Sequence, residues 1–460
     1  MSDIKDSILR ELQPESSLSG LVQRYVSASG LLIVATVAAL VCANIPGISE
    51  KYFAIWQQPV ALSIGSFNVF SHGGHAMTLM DFINDFLMFF FFFSVGLEIK
   101  REILCGELST RQKALLPVIG ACGGMLIPVV LYYALCSGDP LAERGCAIPM
   151  ATDIAFSLGV LSVFGKRVPA GLKIFLAALA VADDLGGIIV IAIFYSQGLA
   201  WNYLLAAAAV VAILLIGNYR GVRLKQFYVP LGLVLWYFVL NSGIHATIAG
   251  VVLAFCIPAS LGLGTRYYLE HIRDCVNAYP DIDVTEADRE KAMVLATGEI
   301  QLLRRIESAS DHLISPLQDI EDYLRYPINY GVIPLFAFAN AGVAFGGLTF
   351  GNVALGVMIG LLLGKFLGVL SFSWLSMKLG FCQMPAGANW RSFASVCMVC
   401  GIGFTVSMFI AELSFRGAGA EAAVYLDEAK LGILCGTLLS AIIGCIMLYF
   451  TLPKPQPNNP

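Results

Sequence analysis

Long apolar runs alternate with short polar segments along almost the whole chain. A helix that spans a bilayer needs about 20 mainly apolar residues. Twelve runs approach or reach that length, and they lie near 29–46, 79–97, 115–136, 148–165, 172–195, 202–218, 228–241, 244–258, 328–345, 353–376, 393–414 and 431–452. The seventh and eighth runs are short and meet at Asn241–Gly243, where two segments could be miscounted. The pattern predicts an all-α polytopic membrane protein with about twelve transmembrane helices.

The polar segments divide the chain into five parts. We expect a cytoplasmic N-terminal segment over 1–28, helices 1–8 over 29–258, a cytoplasmic connector over 259–327, helices 9–12 over 328–452, and a disordered cytoplasmic tail over 453–460. The charged start of the chain is not followed directly by an apolar core and a cleavage site, so it is not typical of a signal peptide. Residues 285–307 of the connector carry apolar positions among charges and favour a helix.

The basic residues test this topology. If the N-terminus is cytoplasmic, 23 Lys and Arg fall in inner segments and 4 in outer ones, and Lys365 lies inside an apolar run. Without the seven in the long connector the split is still 16 to 4. Short inner loops of membrane proteins carry an excess of Lys and Arg. The split therefore favours twelve helices with both termini inside.

Composition narrows the function. The chain is 58% hydrophobic and 13% charged, against about 25% charged residues in soluble domains. A net charge of -4 indicates no nucleic-acid partner. The twelve Cys residues show no metal-site pattern and behave as small hydrophobes, and we expect no cofactor. There is no H-E-x-x-H, and no G-x-S-x-G with a partnering His at membrane depth, which argues against an enzyme.

Two adjacent acids, Asp183 and Asp184, lie in the middle of an apolar run. Charge at bilayer depth costs about 2.5–3.5 kcal/mol per residue on insertion scales, and mutual repulsion further penalises ionisation of the pair. A satisfied structural pair is the simpler interpretation. A carboxylate that binds either H⁺ or Na⁺, but not both, is the functional one, and that competition is the basis of an antiporter.

Lys365 is also deep in an apolar run and needs an acidic partner, for which Asp183 is the first choice. The pair could be purely structural. Alternatively, loss of the pairing when Asp183 binds a cation could release a second proton. We favour Asp184 as the primary Na⁺ and H⁺ ligand and Asp183 as the lysine-linked one.

Two helix interruptions are predicted. Pro149 disfavours helix just before Thr152 and Asp153, either of which could cap the following half-helix, as on any ordinary helix. The second interruption is at Gly401, Gly403 and Thr405. Both fall in the middle run of a trio, within 115–195 and within 353–452. The two trios start on opposite sides of the membrane, as an inverted repeat requires, and such breaks point to a transporter's binding site.

Further polar residues lie near the ends of runs. Glu98, Lys100, Arg101 and Glu102 are either solvated charges or an acidic cytoplasmic funnel that responds to pH. Asp85 is expected near the outer face, and Asn340 is a helix-packing residue. His245 is either a structural histidine or a pH-responsive one that belongs with the Glu98–Glu102 cluster. The competing functions are a passive cation channel, which would prefer a continuous polar stripe, and an ion-coupled solute symporter, which would need more donors for its ligand.

Seven motifs together resemble the NhaA-type bacterial Na⁺/H⁺ antiporters. They are NDFLMFFFFFSVGLEIKRE (84–102), ATDIAFSLGVL (151–161), ADDLGGIIVIAIFY (182–195), SGIHATIAGVVLAFCIP (242–258), PLFAFANAGV (334–343), GLLLGKFLG (360–368) and CGIGFTVSMFIA (400–411). This family is among the known inverted-repeat transporters, so the repeat is not independent support. The motifs cover nearly all of the predicted spans.

The resemblance implies specific roles. It implies an electrogenic, pH-regulated exchange of cytoplasmic Na⁺ or Li⁺ for external H⁺ in a bacterial inner membrane, with the fourth and eleventh helices unwound and crossing. Asp183 and Asp184 would be the exchange carboxylates that bind Na⁺, Thr152 and Asp153 would belong to the crossing, Lys365 would be the pairing lysine, and the Glu98–Glu102 cluster would respond to pH. The family's usual homodimer, braced by an outer hairpin, makes 63–75 the candidate hairpin.

Two features depart from the family. Leu324-Arg325-Tyr326-Pro327 replaces a common Leu-His-Pro, which puts in doubt a regulatory histidine there. The connector over 259–320 is longer than usual. Both departures bear on pH regulation more than on transport.

Overall fold

The computed structural model describes residues 27–64, 67–72, 75–195, 198–260, 265–279, 297–345, 350–416 and 419–453, and within them it is almost entirely helical. The described residues of the first half form nine α-helices: α1 Ala28–Asn44, α2 Ser49–Trp56, α3 Leu79–Leu104, α4 Arg111–Cys136, α5 Ile154–Val163, α6 Ala170–Phe194, α7 Trp201–Tyr219, α8 Lys225–Leu240 and α9 Ile248–Cys256. A 3-10 helix over Ala142–Met150 precedes α5, and a short one over Gly165–Arg167 follows it.

The second half adds eight helices in the same described ranges: α10 Thr265–Asn277, α11 Thr297–Leu313, α12 Pro316–Pro327, α13 Ile333–Asn340, α14 Asn352–Lys378, α15 Trp390–Val399, α16 Phe404–Phe415 and α17 Ala420–Thr451. A π-helical turn over Ile328–Val332 joins α12 to α13. Similar turns lie within α3, over Phe82–Leu87, and within α14, over Gly360–Gly364.

Each of the twelve predicted apolar runs contains a helix. Six helices of the described residues are long and apolar enough to cross a membrane, namely α3, α4, α6, α7, α14 and α17. The number rises to nine if each of three bent pairs is one span. The chain is therefore an all-α, multi-pass membrane protein. α8 and α9 have 16 and 9 residues and are shorter than the 18 residues that such a span requires.

Two of the bent pairs are the interruptions that the sequence predicts. The 3-10 helix and α5 meet at 44°, and α15 and α16 meet at 42°. Each lies between two long helices, α4 and α6 for the first and α14 and α17 for the second. Local sequence favours the first restart, because Asp153 caps α5 by accepting from Phe156 N at 3.0 Å. In the second pair, Asn389 and Ser392 form a capping box at the start of α15, before the break, and α16 restarts after Gly403 without a side-chain cap of its own.

The long helices α4 and α14 approach closely through small residues. A Cβ added to Gly123 would lie 2.3 Å from Gly368 O, and one added to Gly364 would lie 2.7 Å from Pro128 Cα. Only glycine fits at such separations, and small residues are what allow backbones to approach in membranes. This contact holds Lys365, on α14, next to the first interruption.

Outside the helices, the part of the chain that the structure describes has five short strands after α2: β1 Pro59–Val60, β2 Ser63–Ile64, β3 Phe67–Asn68, β4 Ser71–His72 and β5 His75–Thr78. β2 pairs antiparallel with β3, and β5 pairs antiparallel with both β1 and β4. The candidate hairpin of 63–75 is thus a set of paired strands where it is described. Three predicted segments lie wholly or partly outside the described residues. They are the N-terminal segment up to residue 26, residues 285–296 of the helix expected over 285–307, and the tail from residue 454 on.

Candidate functional site

The two interrupted helices touch each other at their breaks. Asp153 N donates to Ile402 O at 2.7 Å, and Thr152 Oγ1 donates to Cys400 O at 3.0 Å. Asp153 Oδ2 accepts from both the backbone N and the Oγ1 of Thr405, at 3.1 and 2.8 Å. The backbone groups that each helix leaves unpaired at its break are therefore partly satisfied by the other helix.

Glycine is required at the second break because other chain segments lie against it. A Cβ on Gly403 would lie 2.5 Å from Ala151 O, and one on Gly401 would lie 2.5 Å from Leu361 O. The sequence signal there, two glycines two residues apart, is therefore a consequence of close backbone approach.

Asp183 is the lysine-linked carboxylate. Its Oδ2 accepts from Lys365 Nζ and from Thr152 Oγ1, both at 2.7 Å. Lys365 Nζ also donates to the carbonyl of Met150, at the end of the 3-10 helix. Both Asp183 and Lys365 have fully buried side chains. The π-helical turn over Gly360–Gly364 ends just before Lys365, and such turns re-aim the side chains that follow them.

Asp184 faces a different environment. It lines a cavity of about 210 Å³ together with Thr152, Asp153, Thr405 and Glu98. Within the part of the chain that the structure describes, Asp184 Oδ1 and Asp183 Oδ1 are buried and accept no hydrogen bond. A buried carboxylate oxygen is costly unless a proton, a donor or a cation compensates it. The residues that line the Asp184 cavity supply carboxylate and hydroxyl oxygens. Such oxygens are the ligands that hard cations and protons prefer.

The cluster at the C-terminal end of α3 divides into separate roles. Glu98 lines the Asp184 cavity. Lys100 Nζ donates to the carbonyls of Phe255, at 2.8 Å, and Ile257, at the end of α9, where a cation is favoured. Arg101 binds Glu321 at 2.7 Å and Glu102 at 3.4 Å.

Three further predicted residues lie elsewhere. His245, grouped by sequence with the pH-responsive cluster, lies instead beside Asp85, with Nε2 3.6 Å from Asp85 Oδ1. Asp85 is near the start of α3, so His245 and Glu98 are at opposite ends of that helix. Asn340 exchanges amide hydrogen bonds with Asn84 at 2.9 and 3.3 Å, and both are buried.

Sequence reasoning missed several residues. Glu321 and Arg325, both on α12, line the Asp184 cavity. Nothing local distinguishes Glu321 from the other acids of the connector. Arg416, at the end of α16, binds Asp81 and Asp85. Its signal was available, because it is one of only four basic residues assigned to outer segments.

Almost the whole chain is similar to a group of known proteins. The family model of Na⁺/H⁺ antiporter 1 matches residues 20–448. The chain is 50% identical over 434 residues to the Na⁺/H⁺ antiporter NhaA of Phocaeicola vulgatus, which covers 94% of this chain and 95% of the relative. It is 48% identical to that of Bacteroides thetaiotaomicron, covering 97% and 99%, and 41% identical to that of Helicobacter pylori, covering 95% and 96%.

Proposed function

Because the chain belongs to the Na⁺/H⁺ antiporter 1 family, we propose that it exchanges Na⁺ or Li⁺ for H⁺ across a membrane. The two cations compete for the carboxylates of Asp183 and Asp184. The observation that carries this proposal is the placement of Asp184 in a cavity at the contact between two broken helices, next to an Asp183 that is already held by Lys365.

Asp184 is the primary ligand in this scheme. Asp184, Thr152 and Thr405 line the same cavity, and Asp184 Oδ1 accepts no hydrogen bond from the described residues. Asp184 also lies in the field of the carboxylates of Asp183, Glu98 and Asp153. A cluster of carboxylates with few basic neighbours binds a positive charge favourably. Either Na⁺ or H⁺ can be that charge.

Asp183 and Lys365 provide the second step. When a cation binds near Asp183 Oδ1, it competes with the Lys365 ammonium for the same carboxylate. Weakening of the ion pair leaves the Lys365 ammonium buried without its counter-charge, which costs free energy. In this scheme the pair gives up a second proton in addition to that of Asp184, and the exchange is electrogenic.

The proposed topology has twelve transmembrane helices, two inverted trios and both termini in the cytoplasm of a bacterium with the chain in its inner membrane. The distribution of basic residues, 23 to 4, supports the orientation. The placement of each broken helix between two long ones supports the repeat. On this topology the Asp184 cavity, with Glu98 and Arg325 at its rim, opens toward the cytoplasm.

Regulation and assembly complete the proposal. The cluster formed by Glu98, Arg101, Glu102, Glu321 and Arg325 borders the cavity and responds to cytoplasmic pH. Among the described strands, β1 and β4 form the edges of one sheet, and β2 and β3 pair with each other in the second. A second copy of the chain can extend such edges, and this supports a homodimer.

Proteoliposomes with an imposed pH gradient test the exchange. We expect addition of Na⁺ or Li⁺ to dissipate the gradient through wild-type protein and not through Asp184→Asn. Asp319→Asn is the matched control, because it removes a half-exposed carboxylate that pairs with Lys225 and is not among the residues that line the cavity. It is expected to keep wild-type exchange.

The alternatives give different results in the same vesicles. A channel would pass Na⁺ current without Na⁺-dependent proton movement, and a symporter would require an organic solute. Absence of Na⁺- or Li⁺-dependent proton flux at every pH from about 6 to 9 would overturn the proposal. Full exchange by Asp184→Asn would overturn the competition for carboxylates.

A further inference from the structure

A second cavity lies on the same helix pair as the Asp184 cavity, at its other end. It has a volume of about 360 Å³ and is lined by Asp81, Asp85, His245, Tyr195 and Arg416. Both cavities border α3 and α16. Asp85 and Glu98, one in each cavity, are separated by about 20 Å along α3 at 1.5 Å per residue. The two cavities therefore mark the two ends of one seam between α3 and α16.

Aromatic rings fill the seam between the cavities. Phe409, in the middle of α16, packs against Phe92 of α3 with ring centroids 5.3 Å apart. The ring of His245 lies 5.3 Å from it on the side of the second cavity, and Phe336 of α13 lies 6.4 Å away. Phe92, Phe336 and Phe409 are all buried. In this conformation an apolar barrier separates Asp184 from the second cavity.

Arg416 ties the ends of the two helices together at the second cavity. It caps the C-terminus of α16 and forms an ion pair with Asp81 in the first turn of α3. Its Nη1 also lies 3.3 Å from Asp85 Oδ2 and 3.4 Å from Oδ1, one helical turn further on. One guanidinium thus binds two carboxylates of α3, which its several donors allow.

Neighbouring residues fix the positions of the two aspartates that contact Arg416. Asp81 forms a capping box with Thr78, and Asp85 lies in the π-helical turn of α3, where its backbone carbonyl accepts from Trp236 Nε1 at 3.1 Å. Asp85 is 7% exposed. A carboxylate buried to this degree needs a compensating charge, so Arg416 can leave only if another cation, or a proton, takes its place.

We propose that the ion pairs of Arg416 with Asp81 and Asp85 are the latch of an outer gate, which closes the α3–α16 seam in the conformation with Asp184 open to the other side. Release of the latch exposes Asp81 and Asp85 to external cations, and the seam then opens from that end. Na⁺ or H⁺ arriving from outside competes with the guanidinium, so cation entry and gate opening are coupled. This inference rests on the proposed exchange.

A reversible cross-link tests the gate directly. In an Asp81→Cys/Arg416→Cys double variant, oxidation with copper phenanthroline, or reaction with a short bis-methanethiosulfonate that forms a disulfide with each thiol, should join α3 to α16. We expect exchange in proteoliposomes to stop on cross-linking and to return on reduction. The two single variants, treated identically, control for the twelve native cysteines.

Each other result contradicts the latch. Full exchange by the cross-linked protein would show that the seam does not open there. Failure of both reagents to join the two cysteines would show that the positions do not meet. Loss of exchange already in the reduced double variant, with wild type active, would assign these residues to transport itself rather than to gating.

A kinetic measurement separates gating from a structural role. Arg416→Gln should raise the KM for Na⁺ at the cytoplasmic face of inside-out vesicles several-fold, because a smaller fraction of the protein holds Asp184 open to that face. Arg416→Lys should restore the KM, and Arg144→Gln, an exposed arginine at the same end, should leave it unchanged. An unchanged KM in Arg416→Gln would overturn the latch.

The failure of the proposed function is distinguishable from the failure of the latch. If wild-type protein shows no Na⁺-dependent proton movement, the exchange itself is refuted. The cross-linking yield alone then reports whether Asp81 and Arg416 lie in contact. If the cysteines cross-link in a protein that shows no exchange, the ion pairs of Arg416 have a structural role only.

Discussion

Lys365 Nζ lies 2.7 Å from Asp183 Oδ2, and solvent reaches neither side chain. The lysine is on α14 and the aspartate on α6, and the same Asp183 oxygen accepts from Thr152 at the first helix break. One ion pair therefore joins one helix of each trio to an interruption. Removal of either partner should affect stability as well as transport.

We expect Lys365→Met to destabilise the protein by about 3–5 kcal/mol, because it leaves a buried carboxylate without its cation. Asp183→Asn combined with Lys365→Met should lose less than the sum of the two single changes. Thermal unfolding in detergent of the four proteins gives the coupling. Strictly additive losses would mean that the pair is not an energetic unit.

Asn84 and Asn340 join α3 to α13 through two buried hydrogen bonds between their uncharged side-chain amides. Asn340→Leu should cost about 1–3 kcal/mol, since it leaves the buried Asn84 amide unsatisfied. Asn84→Leu/Asn340→Leu should recover part of the loss because no orphan group remains. Urea unfolding of the purified variants measures this, and a double variant less stable than both singles combined would refute it.

Gly368→Ala should separate α4 from α14. The added Cβ would lie 2.2 Å from Gly123 O, and overpacking of this kind costs about 1–3 kcal/mol. Because Lys365 is on the same face of contact, exchange should fall with stability. Gly331→Ala is the control, since nothing lies within 4 Å of the Cβ it would add. Equal melting temperatures for the two variants would contradict this account of the helix contact.

The pH response of the inner cluster should depend on Glu321. Burial is the main cause that raises the pKa of Glu321, and the Glu98 carboxylate adds to it, whereas Arg101 opposes it. As the pH falls, Glu321 therefore takes up its proton, and weakens its bond to Arg101, at a higher pH than an exposed glutamate would. Glu321→Gln is neutral at every pH.

The measurement is the pH profile of Na⁺-dependent proton flux. We expect the acid side of the profile to become shallower in Glu321→Gln, and Asp319→Asn, which removes a half-exposed carboxylate paired with Lys225, to leave it unchanged. Identical profiles for Glu321→Gln and wild type would exclude Glu321 from the response.

Much of the site was predictable because each signal was local. A charged residue in an apolar run is rare enough to mark Asp183, Asp184 and Lys365, and a proline or a glycine pair is enough to mark a helix break. The Asp183–Lys365 pairing was also predictable, since a buried lysine needs an acid and few were available. Glu321 escaped prediction because an acid in a charged connector carries no such signal.

Sequence by itself determined the fold class, the helical runs, the two interruptions and the buried charges, because each follows from what a bilayer tolerates along a single segment. Tertiary structure alone decided which groups meet: the contact of the two breaks, the separation of His245 from Glu98, the Asn84–Asn340 pair and the tie between Arg416 and α3. Those relationships join residues far apart in the chain. They are set by how closely helices approach and which face each presents, and local composition does not encode either.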